Sequence, residues 1–322
     1  MRELILQTLQ RERHISGEEL GKRLNISRTA VWKHINELRK KGYQIESSPK
    51  SGYTFIKNTS LLLPEEIGLG LNTQIMGKCV FHYDEVASTQ DIAAEMARLG
   101  ATEGTLVIAE TQNNGRGRKG RNWISLKEGI YLSLILRPNL LPSKVVQIPL
   151  IAGVALTKAI RETVPLQPTI KWPNDILINK RKVGGILTEM NSEIDGVNYV
   201  ILGIGLNVNM PSPLVEQAAF VPTSLIDESG AYTSRVKLLQ CFLYEFEIIY
   251  TKYLNLGFSS VRDEWKALNN TIGSRVKISD GEKEIEGEAL DIDNDGFLLV
   301  RKEGGDISRI ISGDVSFINR NN

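Results

Sequence analysis

Four cations and three glycines share seven consecutive positions, Gly115-Arg116-Gly117-Arg118-Lys119-Gly120-Arg121. Guanidinium forks grip phosphate or carboxylate oxygens in pairs, and glycine lets a backbone come close to a ligand. A loop of this charge repels itself, so the sequence predicts a mobile segment until an anion gathers its cations. Its G-x-G-x-x-G spacing formally matches a dinucleotide fingerprint, but that motif needs a helix to follow. The strand-like Asn122-Trp123-Ile124-Ser125 follows instead, and no GxxxxGK[ST] occurs in the chain. Anion binding is the chemistry left, with a solvated basic loop or a second nucleic-acid contact as the alternatives.

Two further clusters place polar groups in apolar surroundings. Lys171-Trp172-Pro173-Asn174-Asp175 is turn chemistry. Close behind it, Lys182 opens the apolar run Val183-Gly184-Gly185-Ile186-Leu187 and can point into a site. The plainer readings make Lys171 a surface residue and Asp175 a turn cap. In Gly203-Ile204-Gly205-Leu206-Asn207, two glycines inside a strand predict a ligand or another backbone passing close. Asn207 can donate and accept beside it. The three histidines and two cysteines fall at no metal-ligand spacing, and no Ser-His-Asp or Cys-His set is arguable. His82 reads as structural. Asp291 to Gly296 resembles the start of a calcium loop, but Lys302 stands at the twelfth position, where glutamate is required. Asn294-Asp295-Gly296 is therefore read as a hairpin turn.

The elements that must position these residues alternate from Cys79 to 270. CVFHYDEV, TLVIAETQ and YVILGIGLNVNM read as strands. NWISLKEGIYLSLILRP reads as two strands, and TIKWPNDILINKRKVGGILTEM as two strands about a turn. STQDIAAEMARLG, VVQIPLIAGVALTKAIRETV, LLQCFLYEFEIIYTKYLNLG and SSVRDEWKAL read as helices. The result is an α/β core over 79–270. Short glycine-punctuated strands over 271–322 predict a small β-barrel. Residues 61–78 read as a linker with one helical turn after Pro64.

Residues 1–60 are different in kind. Positions 1–57 hold 12 Lys/Arg against 6 Asp/Glu, whereas the remaining 265 residues hold 27 against 32. A basic head on a mildly acidic body points to a polyanion partner for the head. Leu4, Ile5 and Leu9 predict a short helix, and Ser16 with Glu19 has capping-box spacing. Ser27 caps a further helix whose Val31, Ile35 and Leu38 face inward. Trp32 reads as partly buried. Two β-like runs about Ser48-Pro49-Lys50-Ser51-Gly52 complete a winged helix. Such a unit lays its second helix in the DNA major groove. Ser27, Arg28, Thr29, Lys33, His34 and, at the wing tip, Lys50 are the DNA-contact candidates. A packing module that never meets DNA is the alternative.

With 41% hydrophobic and 24% charged residues in 322, the chain has ordinary globular composition, which excludes disordered, collagen-like and coiled-coil classes. No apolar run approaches the ~18 residues of a membrane span, and the charge-alternating amino terminus is no secretory signal. Lone Cys79 and Cys241 fit a reducing cytoplasm.

On Ser88-Thr89-Gln90, GRGRKGR at 115–121, KWPND at 171–175, RKVGGILTE at 181–189 and GIGLNVN at 203–209, the sequence resembles the bacterial biotin–protein ligases that double as biotin operon repressors. The resemblance covers essentially the whole chain, and the helix-turn-helix head marks the bifunctional type. It implies an α+β multidomain protein whose central mixed sheet is like that of class II aminoacyl-tRNA synthetases. It implies that biotin and ATP, with Mg2+, give biotinyl-5′-AMP, from which biotin passes to a lysine of a biotin carboxyl carrier domain. Biotinyl-5′-AMP is then the corepressor, and a homodimer formed through the central sheet edge binds biotin operator DNA, with no membrane involved.

By the same resemblance, Ser88, Thr89, Gln90 and Gln112 meet the biotin head group. Arg116, Gly117 and Arg118 meet its chain and the phosphate, and Lys182 its carboxylate and the α-phosphate. Lys182 and Arg118 are the catalytic pair. Arg118, Arg121, Lys171, Asn174, Asp175 and Asn207 serve the nucleotide, Asp175 also the magnesium, and Phe220 the adenine. Lys119 stands where arginine is common, and Gly184 where alanine is. Two other functions stay open: a ligand-binding transcription factor without turnover, and an acyl-adenylating ligase for lipoate. Lys182 and the loop cations favour turnover, and the lipoate branch lacks the GRGRKGR loop.

Overall fold

The structure, a computed structural model, describes residues 1–48, 52–57, 60–211, 221–279 and 283–318. It divides into two compact units, Met1–Leu71 and Asn72–Asn322.

The first unit runs α1 (Arg2–Glu12), β1 (His14–Ile15), α2 (Gly17–Leu24), α3 (Arg28–Lys40), β2 (Gln44–Ser48), β3 (Gly52–Lys57) and α4 (Pro64–Gly68). Both predicted caps form, because a serine oxygen can satisfy an amide that the helix start leaves without a partner. Ser16 Oγ accepts from the Glu19 N–H and Ser27 Oγ from the Ala30 N–H, each at 3.1 Å. An antiparallel sheet in the order β1-β3-β2 completes the winged helix. Ile5, Leu9, Leu20, Val31, Ile35 and Leu38 share one core. Trp32 differs from expectation: it falls outside that inward stripe of α3 and is 57% exposed.

The expected linker is also folded. Leu63 and Ile67, one helical turn apart, are buried, Leu63 within the core of the first unit. Lys41 Nζ donates to Glu65 at 3.1 Å. Beyond the boundary, the Gln74, Ile75 and Met76 amides donate to Glu247 at 2.6, 2.7 and 2.8 Å.

The second unit runs β4 (Val80–Val86), α5 (Thr89–Arg98), β5 (Leu106–Gln112), β6 (Ile130–Leu136), α6 (Ile148–Thr163), β7 (Thr169–Lys171), β8 (Asp175–Ile178), β9 (Arg181–Ser192), β10 (Val197–Leu206), α7 (Leu225–Ser229), α8 (Arg235–Leu256) and α9 (Ser259–Leu268). Its sheet has the order β4-β5-β6-β10-β9-β8-β7. Only β4 and β5 are parallel, joined by the α5 crossover; the other pairings are antiparallel. The stretch 122–136 yields one strand, not two, since its first residues make only isolated bridges. The stretch 169–192 yields three strands. A tight turn at Asn179 and Lys180, both at positive φ, adds the extra hairpin. Pro142–Thr163 is long and apolar enough to cross a membrane by length and composition. Its helix, α6, is apolar on nearly every side because it is the core helix, packed against α8, α9 and β9.

The chain closes with β11 (Arg275–Ser279), β12 (Glu284–Ile292), β13 (Leu298–Arg301), β14 (Ile307–Ile310) and β15 (Asp314–Phe317). They form an antiparallel sheet in the order β14-β13-β12-β11-β15. Among the described residues β14 and β15 do not pair, so the ladder is an open sheet where a barrel was expected. The predicted turn is present, with Asp293 Oδ1 accepting from the Asp295 and Phe297 amides.

Candidate active site

The parallel β4–α5–β5 unit places the amino end of α5 beside the carboxyl end of β5, where α/β sheets bind ligands. There β6, β9, β10, the 115–121 loop and the Gly313–Ser316 stretch enclose a cavity of about 580 Å³. Every predicted ligand-site residue lines it except Phe220, which lies outside the described residues.

One end is polar, and Glu189 borders it, accepting from Gln90 Nε2 at 3.2 Å and from Arg116 at 2.8 Å. Thr89 donates to Gln112 Oε1 from both its amide, at 2.8 Å, and its Oγ1, at 3.1 Å. Thr89 Oγ1 lies 2.9 Å from Ser133 Oγ, which donates to Gln90 Oε1 at 2.8 Å. Gln112 Nε2 donates to Ser125 Oγ at 2.9 Å. Ser88 caps nothing, and its buried Oγ has no partner. Buried hydroxyls and amides must be satisfied, so this network is oriented in advance and keeps an open position at Ser88. Ser133 was missed from sequence. Its signal was a lone polar residue in the apolar run Ile130–Leu136.

The two glycines of β10 line the cavity, and they also make room for side chains of this chain. A Cβ on Gly203 would come within 2.9 Å of Gln90 Oε1, and one on Gly205 within 2.5 Å of the Trp123 ring. The intruders are side chains of this same chain. Trp123, also missed, lies across β9 and β10 with Lys182 Nζ 5.4 Å from its ring centroid.

The other end is charged. Lys182 Nζ lies 2.6 Å from Asp175 Oδ1, and Lys171 Nζ 3.4 Å from Oδ2. Burial pushes the Asp175 pKa up, but the two ammonium groups outweigh it and hold the carboxyl below its usual range. Lys171 is 8% exposed, so it is not a surface residue, and Asp175 does more than cap a turn. Arg118 donates to Asn174 Oδ1 at 3.0 Å and to the Gly313 carbonyl at 3.3 Å. Burial pushes its guanidinium pKa down. Asn174 Nδ2 donates to the Ile186 carbonyl and Asn207 Nδ2 to the Thr223 carbonyl. Asn207 Oδ1 is buried without a partner.

The loop is not a set of free cations. Its chain turns back through a Gly117 amide to Arg121 carbonyl bond of 2.7 Å. Arg116 pairs with Asp91 and Glu189 at 2.9 and 2.8 Å, and Lys119 and Arg121 both pair with Asp314. Sequence reading expected self-repulsion because these carboxylates lie far away along the chain.

On the first unit, Ser27, Arg28, Thr29 and Lys33 are exposed and His34 is half-buried. The Ser27 hydroxyl is already committed to its cap. Lys50 lies outside the described residues.

Residues 2–54 match the HTH domain family, 84–207 the biotin/lipoate A/B protein ligase family, and 271–318 the biotin protein ligase C terminal domain. The bifunctional ligase/repressor BirA of Bacillus subtilis (strain 168) is 42% identical over 303 residues, covering 94% of this chain and 93% of that protein. The chain belongs to the family of bifunctional biotin ligase/repressors. The Escherichia coli (strain K12) member of that name is 31% identical over 291 residues, 90% of this chain and 88% of that one. Among solved structures, the biotin protein ligase from Aquifex aeolicus in complex with biotin and ATP superposes with a TM-score of 0.64 at 29% identity. It covers 75% of this chain and 99% of its own. The ligase match of the family spans β4 through β10, the strands that build the cavity.

Proposed function

We propose that this chain activates biotin with ATP, transfers it to a lysine of a biotin carboxyl carrier domain, and represses biotin genes in response to biotin. The observation that carries the ligase reading is the polarity of one cavity. A polar hydrogen-bonding end beside Gly203 and Ser133, an apolar strip of Leu187 and Trp123 over the Gly203–Gly205 stretch, and a cationic end with Arg118 and Lys182 line it. Biotin has the same order: a ureido ring, an apolar chain and a carboxylate. The ring meets Ser88, Thr89, Gln90 and Gln112, and the chain lies along the apolar strip beside Arg116 and Gly117.

In the first step a biotin carboxylate oxygen bonds to the α-phosphorus of ATP, and the bond to the β-phosphate oxygen breaks, releasing pyrophosphate. Two anions must meet, and Lys182 and Arg118 offset their repulsion and the charge growing on the α-phosphate. Arg121, Lys171, Asn174, Asn207 and Phe220 serve the nucleotide side. In the second step an acceptor lysine amine attacks the anhydride carbonyl carbon, loses its proton, and AMP leaves. The 115–121 loop keeps water from the anhydride between the steps.

Magnesium enters this reading only with the phosphates of ATP. Asp175, the carboxylate assigned to it, has both oxygens on lysines, and no group of three His, Cys, Asp or Glu among the described residues fits a cation.

For repression, the exposed face of α3 meets operator DNA and biotinyl-5′-AMP is the corepressor. A second copy adds along the outer edge of β9. From Leu187 to Ser192 that edge has no strand partner among the described residues, and Met190 is 47% exposed. In this reading the protein works in the cytoplasm, beside its DNA and acceptors.

The decisive measurement is incubation with ATP, magnesium, an acceptor domain and labelled biotin or lipoate. Label on the acceptor lysine from biotin is expected. Label from lipoate alone, or from neither, would overturn the ligase reading, and a monomer in sedimentation with biotinyl-5′-AMP bound would overturn the dimer.

A further inference from the structure

Of four tryptophans, Trp32 alone is left in water. Trp172 and Trp265 are 1% and 0% exposed, Trp123 lies across β9 and β10, and Trp32 is 57% exposed. A buried indole removes some 150–250 Å² from water, and α3 forgoes that stabilisation here. The inward stripe of α3 is complete without it, in Val31, Ile35 and Leu38.

What surrounds Trp32 is chemistry for a nucleic acid. It stands between Thr29 and Lys33 and one turn on from Arg28, all three exposed, near the start of the helix that a helix-turn-helix lays in the major groove. Arg28 and Lys33 supply the charge that phosphates need. An indole adds something cations cannot: a broad apolar face. Among base edges in the major groove, the C5 methyl of thymine is the apolar feature.

We propose that Trp32 is a specificity-determining residue, its indole face packing on a thymine methyl in each half-site of duplex DNA. This rests on the DNA-binding reading of the first unit. Lys33, by contrast, contacts backbone and carries no base preference.

Site selection from a randomised duplex library, with biotin and ATP present, tests this using wild type, Trp32→Ala, Trp32→Phe and Lys33→Ala. Trp32→Ala should lose the preference for one thymine per half-site and bind the wild-type site about tenfold more weakly. Its salt dependence should stay unchanged, whereas Lys33→Ala should lose about one unit of salt slope with its sequence preference intact. Trp32→Phe should keep most of the preference. Replacing that thymine by deoxyuracil removes only the methyl. It should weaken wild type about as much and leave Trp32→Ala indifferent. All variants should ligate biotin and melt as wild type does.

If Trp32→Ala selects the wild-type sequence at wild-type strength, or deoxyuracil at every thymine weakens both proteins equally, Trp32 is not the reader. If wild type selects no sequence at all, the DNA-binding reading itself fails.

Discussion

Asp175 is the residue on which the charged end of the cavity depends. It sits between Lys171 and Lys182, and the three side chains are 10–14% exposed. Removing one partner of a buried pair leaves the other charges uncompensated. Asp175→Asn should therefore cost about 3 kcal/mol of stability at neutral pH and leave two ammonium groups facing each other. Its folded pKa is depressed, so the contribution is complete above the unfolded carboxylate value and is lost as pH falls through the folded one. Denaturant unfolding of wild type and variant from pH 7 to 3 should show the gap narrowing with acid; a gap constant across that range would refute the assignment. Lys182 and Asp175 were legible in sequence as charges set into apolar or turn contexts. That one carboxylate would serve both lysines was not, since that depends on the β7–β8–β9 register.

At the scale of elements, β9 and β10 show how a glycine pattern can be read correctly before its close neighbours are known. Close approach was legible from Gly203 and Gly205, because a strand loses packing at glycine and needs a reason to carry two. The visitors were not legible, since Gln90 and Trp123 are over 80 positions upstream of them. Gly205→Ala puts a methyl 2.5 Å from the rigid Trp123 indole. The ring must shift, which costs about 1–3 kcal/mol as overpacking does and removes the surface beside Lys182. Thermal denaturation and biotin titration should both report it, with a lower midpoint and weaker binding. Gly196→Ala, where nothing lies within 4 Å, is the control expected to change neither. Equal behaviour of the two variants would mean that Trp123 does not depend on Gly205. The element order of the core followed from hydrophobic periodicity, whereas the short β7 and β8 were hidden because three or four residues give no period to detect.

For the second unit as a whole, the sheet β11–β15 is part of the site. Gly313 accepts from Arg118, Ser279 from Lys119, and Asp314 holds both Lys119 and Arg121. Composition showed a change of architecture at 271, but long-range pairing of a loop with a strand 193 residues away leaves no local trace. Burial raises the Asp314 pKa, yet the neighbouring cations bring it below its ordinary value. The pairing is thus intact at neutral pH and weakens as pH falls through that lowered value. In the ligase reading, substrate anions compete with Asp314 for the same cations, so the C-terminal sheet holds the loop shut until biotin and ATP take it over. Asp314→Asn should release it early. Both pairs are a third or more exposed, so after solvent screening their loss is worth about 1 kcal/mol, roughly fivefold in local opening. Trypsin should cut within 115–121 about that much faster in ligand-free Asp314→Asn than in wild type, and biotin with ATP should protect both proteins alike. If cleavage rates match without ligand, the carboxylate is not what holds the loop. If ligands protect neither, the loop does not close over them.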